Sequence, residues 1–128
     1  MLWMPMRPAA LALLPLAFAL ASPPAAAKGA CLIQGELYGA KFKDCSEVDA
    51  ARPDSDYKAQ CESNIASIRS AGGSASATVS AACPSGAQGS CVNPMGRQVR
   101  TYYYARSTQE LAVTRSSCES AGGSWRAP

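Results

Sequence analysis

The sequence predicts an α+β fold: a small disulfide-stapled domain built from two strand-then-helix copies with a short antiparallel sheet. Three observations predict it. The 128-residue chain is short of large apolar side chains, with only 12 Leu, Ile, Val and Phe after residue 27, below the roughly 20% at which burial alone can hold a fold. All six cysteines (Cys31, Cys45, Cys61, Cys83, Cys91 and Cys118) fall in that same stretch. Three bridges at about 2–4 kcal/mol each match the net stability of an ordinary small domain, on the order of 5–15 kcal/mol. Finally, a faint internal repeat joins residues 29–74 to residues 89–125.

Residues 1–27 read as a signal peptide, with Arg7 at the start, an apolar run over 9–21, and Ala25-Ala26-Ala27 ahead of Lys28. A membrane span needs roughly 20 apolar residues, whereas this run is shorter, contains Pro15 and is followed by Pro23-Pro24. Met1, Met4 and Met6 each suit the role of initiator. Lys28-Gly29-Ala30 before Cys31 puts a charge where a lipid-attachment signal needs a Leu-like residue. The expectation is one cysteine-rich domain over 28–128, secreted or periplasmic, monomeric, with no stable membrane insertion.

In the first copy, residues 37–43 read as a strand. A helix follows over 57–71, with Tyr57, Cys61, Ile65 and Ile68 on one face, Asp56 as its cap, and Gly72-Gly73 as its left-handed exit. Residues 74–82 fit a linker or a short strand equally well, and 83–89 is turn-like. In the second copy, residues 98–106 are rich in β formers, and Ser107-Thr108-Gln109-Glu110 is a capping box that opens a helix. The inward stripe of that helix is expected to be Leu111, Arg115 by its stem, Cys118 and Ala121, ended by Gly122-Gly123.

The copies match at Gly29-Ala30-Cys31-Leu32 and Gly89-Ser90-Cys91-Val92, at Cys61-Glu62-Ser63 and Cys118-Glu119-Ser120, and at the Ser-Ala-Gly-Gly-Ser beginning at Ser70 and Ser120. The first copy holds seven more residues between the last two matches, close to two helical turns. If each copy ties its opening Cys to its helix Cys, the bridges are Cys31–Cys61 and Cys91–Cys118, which leaves Cys45–Cys83.

Thr101-Tyr102-Tyr103-Tyr104, followed by Cys118-Glu119-Ser120-Ala121-Gly122-Gly123-Ser124-Trp125, resembles a loose group of short, cysteine-containing bacterial secreted or lipoprotein-like proteins. Those share a tyrosine-rich strand and a Cys-Glu-x-x-Gly-Gly-x-aromatic ending. The likeness covers residues 83–128 and implies secretion and disulfides. The group has no assigned activity, so no functional residue comes with it. Such endings often run on to a further Cys, where Arg126-Ala127-Pro128 stands here.

Chemistry finds little purchase. The chain has no His, the side chain most used for proton transfer near neutral pH and the commonest metal ligand. No close Cys-x-x-Cys pair suggests a zinc ribbon or a redox motif, so neither a metal nor a cofactor is expected. Ser55-Asp56-Tyr57-Lys58 matches a Ser-x-x-Lys pattern but has none of its partner motifs, and reads as a helix start. Asp44, Glu47, Asp49, Asp54 and Asp56 could offer oxygens to calcium, but lack the order of a calcium loop and read as a solvated acidic loop. Residues 28–128 carry 11 basic and 9 acidic residues with no basic run, so no nucleic-acid partner is expected.

Strand alternation over 98–106 puts Arg100, Tyr102, Tyr104 and Arg106 on one face, and Val99, Thr101, Tyr103 and Ala105 on the other, core-directed one. Rings bracketed by guanidinium groups suit a binding interface. They equally suit tyrosines that cover core with Arg stems beside them. The function expected is that of a non-enzymatic binding or structural module of the bacterial envelope or medium, with a protein or glycan partner. One alternative is an inhibitor of an extracellular enzyme, presenting residues 50–56 or 93–98. Another is a small enzyme that uses carboxylates alone, which requires a carboxyl group of raised pKa in a cleft.

Overall fold

The computed structural model describes residues 29–48 and 54–128. The signal peptide expected over residues 1–27, Asp49 and most of the 50–56 loop lie outside the described residues. The chain runs β1 (Gly29–Leu37), β2 (Ala40–Val48), α1 (Asp54–Ser70), β3 (Ser74–Ser80), β4 (Gly89–Val92), β5 (Val99–Tyr103), α2 (Thr108–Ser120) and β6 (Ser124–Arg126). The strands form one antiparallel sheet in the order β3-β1-β2-β5-β4-β6. Bridges Cys31–Cys61, Cys45–Cys83 and Cys91–Cys118 staple it, the same pairs that the repeat suggests. The fold is α+β.

Each copy is strand-strand-helix-strand rather than strand-then-helix. Exchanging β1 with β4, β2 with β5 and β3 with β6 leaves the strand order unchanged, so the halves are related by a pseudo-two-fold axis. Cys31 stands opposite Ser46 and Val79, and Cys91 stands opposite Thr101 and Trp125. Ser46 and Thr101 are thus equivalent positions, and they face each other across the β2–β5 join. Their hydroxyls lie 3.1 Å apart, which places the axis between them.

The additional helical turns of α1 are matched in the sheet. Thirteen residues separate Cys61 from Ser74, and six separate Cys118 from Ser124. At ~1.5 Å per residue the excess carries the first chain about 10 Å farther along its helix. Ser74 then lies five positions before Val79, whereas Ser124 lies one before Trp125. Four additional strand residues return about 13 Å, so both copies bring their last strand back to the disulfide.

Where the fold departs from expectation, the reasons are local. Residues 37–43 straddle a hairpin turn, because Tyr38 (φ 53°) and Gly39 (φ 79°) both adopt the left-handed conformation that a tight antiparallel turn uses. Residues 74–80 form β3, pairing with β1 along its length. On α2, Arg115 is exposed and pairs with Glu119 at 3.1 Å; Thr114 takes the half-buried place between Leu111 and Cys118. Ser107 and Glu110 form the expected capping box. Tyr57, Cys61 and Ile65 are buried on one face of α1, where Cys31, Tyr57 and Cys61 gather Ile33, Val48 and Ala77.

Candidate functional site

The helices cover the two ends of the sheet. α1 lies over β1 and β3, and α2 over β4 and β6, each tied down by its disulfide. Between them the central strands β2 and β5 form the floor of a groove. One end, of about 590 Å³, is bounded by Val48, Tyr57, Asn64, Arg97 and Val99. The other, of about 460 Å³, is bounded by Leu37, Phe42, Asp44, Ile68, Arg106 and Glu110. Ser46 borders both ends. Tyr57 donates its hydroxyl to the Ser46 carbonyl oxygen at 3.0 Å, fixing α1 against this floor.

Arg106 reaches this groove, not the face expected of it. β5 ends at Tyr103 and the chain bends at Tyr104 and Ala105, so strand alternation stops and Ala105 is exposed. The Arg106 guanidinium then meets Asp44 at 2.7 Å and lies 5.1 Å from the centre of the Tyr103 ring. Asp44 Oδ1 and Arg106 Nε are enclosed without a hydrogen-bond partner. Burial holds the Asp44 carboxyl above its ordinary range, against the opposing charge of Arg106. This groove end therefore holds one carboxyl of raised pKa. Its neighbour Glu110 is held below the ordinary range by its capping bonds to Ser107.

Among the described residues, the acidic side chains form no group that could hold a metal ion. Asp44 lies on the helix side of β2, while Glu47, three positions on, lies on the other side.

On that other side run Arg100, Tyr102 and Tyr104, beneath a strap over residues 81–88. Cys83 in the strap is bonded to Cys45 on β2. Glu47 anchors the same point: one carboxylate oxygen accepts the Cys83 N–H at 2.7 Å, and the other accepts the Tyr102 hydroxyl at 3.3 Å. Tyr104 donates to the Pro84 carbonyl oxygen at 2.6 Å, and burial raises the pKa of its phenol. Farther along, the Gln88 side chain clasps the Arg106 backbone, donating to its carbonyl oxygen and accepting its N–H, both at 2.8 Å. Both tyrosine hydroxyls thus serve to hold the strap and its anchor.

Beyond the second helix, the 93–98 loop turns through left-handed Asn93 and Met95. Its Met95 N–H is held by the Ala121 carbonyl oxygen at 2.8 Å, and its Met95 side chain is 67% exposed.

Sequence reasoning found Arg100, Tyr102 and Tyr104 on a common face. It placed Thr101 on the core-directed face, where it lies beside Ser46, and missed Ser46 and the Asp44–Arg106 pair on the groove floor. Counting by twos from the disulfide partners Cys31 and Cys91 would have marked the helix side of both sheet halves.

Fold and surfaces together define a duplicated, disulfide-stapled α+β domain with a groove between two helices on one side of its sheet and a strapped tyrosine face on the other. Comparison of the chain with models of protein families, with curated proteins and with solved structures finds no match. No helix among the described residues is long and apolar enough to cross a membrane. The three disulfides are compatible with an oxidising compartment.

Proposed function

We propose that this protein is a non-enzymatic binding module, secreted or periplasmic, that takes a protein or glycan partner in the groove over β2 and β5. One observation carries this reading. The groove runs on both sides of Ser46, on a floor of paired strands whose flanking helices are each fixed by a disulfide. A site ordered in advance gives up little conformational freedom on binding, and ligand sites are usually concave and largely formed in advance.

The test uses two substitutions on α1. Asn64 is exposed at the groove rim, so Asn64→Trp obstructs one end without touching the core. Ser63 is also exposed but does not line the groove, so Ser63→Trp is the control. A partner recovered from the native envelope or medium with the wild-type and Ser63→Trp proteins, and lost with Asn64→Trp, supports the groove. Equal recovery with all three refutes it.

A second reading, an inhibitor of an extracellular enzyme, is favoured by the 93–98 loop, which presents Met95 on a backbone fixed from within. Inhibition of secreted proteases that is abolished by Met95→Asp would support it.

A further inference from the structure

A separate cavity lies on the opposite side of the sheet. Arg100 stands directly across from Glu47 in the β2–β5 ladder, the usual place for an ion pair, yet the two do not pair. Glu47 is engaged by Cys83 and Tyr102. Arg100 instead turns its Nε to the Ser90 hydroxyl at 2.9 Å, and its guanidinium lies 4.7 Å from the centre of the Tyr102 ring. Ser90 is itself 2% exposed, so the group orienting Arg100 is fixed in the interior. Among the described residues, no carboxylate forms a salt bridge with Arg100.

Arg100 also lines an open cavity of about 270 Å³, together with Pro84 and Ala87 from the strap and Ala127 and Pro128 after β6. Arg126 stands across from Ser90 on β6, which adds a second positive charge to this side. A half-buried guanidinium held through Nε and one ring face keeps its two terminal nitrogens for a planar, two-oxygen anion. Apart from Arg100, Tyr102 and two serines, the residues lining the cavity are small and apolar.

We propose that this cavity binds a carboxylate carried on a small apolar body, as the free C-terminal residue of a peptide, with the carboxylate on the Arg100 fork and the side chain against Pro84, Ala87 and Ala127. The site is independent of the groove reading, from which the sheet separates it.

The test is titration of the exported, disulfide-bonded protein with N-acetyl-alanyl-alanine, followed through the side-chain N–H signals of arginine and by calorimetry. Saturable binding that moves the Arg100 Nε–H signal is expected. Arg100→Gln should weaken it about tenfold or more, because a charge-assisted pair is lost. Ala127→Trp, which fills the cavity from an exposed position and leaves the charge of Arg100 in place, should abolish it and covers the case in which Arg100→Gln fails to fold. The amide-capped dipeptide should not bind. Equal affinity for the amide, unchanged affinity in the Ala127→Trp protein, absence of binding, or a preference for glucuronate over the dipeptide would each overturn the proposal. The last would assign the site to acidic sugars.

Discussion

Position 89 shows how closely single residues are fitted in this small domain. A Cβ on Gly89 would stand 2.4 Å from the Trp125 ring, which lies in parallel with Tyr103 at 5.9 Å between centres. Gly89→Ala must therefore displace the indole. A loss of about 1–3 kcal/mol, the range for an overpacked core, is expected in urea unfolding. Asp44 adds a downward step to the pH dependence of stability. Its pKa is raised in the fold, so the folded chain holds this proton at pH values where the unfolded chain has released it. Its contribution to stability is thus greatest below the ordinary Asp pKa, falls as pH rises through the raised value, and is level above that. Melting curves taken across this window should lose that downward step in Asp44→Asn, whatever the overall change in stability. The capping box was legible in the sequence because its partners lie three residues apart. The Asp44–Arg106 pair spans 62 positions and depends on where β5 stops, which local pattern does not disclose.

The helices and strands were unequally legible for similar reasons. α2 carries its start signal within four residues, and the box is formed as written: Ser107 accepts the Glu110 N–H at 3.1 Å, and Glu110 accepts the Ser107 N–H at 2.7 Å. A helix of 13 residues is marginal alone in water. Ser107→Ala should cost about 1 kcal/mol, read as a shifted denaturation midpoint with an unchanged slope. β3 was harder to read. Its Ala75, Ala77 and Val79 do alternate with Ser and Thr, but such small side chains give the period-2 pattern almost no hydrophobic contrast. The β1–β2 hairpin was concealed by its turn, where Tyr38 occupies a left-handed position usually given to Asn, Asp or Gly.

Across the whole molecule the three disulfides divide their work. Two pin helices to the sheet, and Cys45–Cys83 pins the strap. Replacing Cys45 and Cys83 by Ala should therefore lower stability by about 2–4 kcal/mol and speed amide exchange over residues 81–88, while helical circular dichroism persists. Reducing all three should abolish the native spectrum. The pairing was legible only through the repeat, since six cysteines alone leave 15 possible pairings.

The pseudo-two-fold axis has one further consequence. Rotation about it carries Val48 and Val99, which face each other across the central join, onto Tyr103 and Asp44, which also face each other. A dimer of identical halves would repeat one chemistry at both ends of its groove and hold a ligand equally well either way round. Joined in a single chain, the halves have diverged: two valines stand on the floor at one end, and a tyrosine beside a carboxyl with its guanidinium partner at the other. The groove has a head and a tail, and an occupant would be read in one direction.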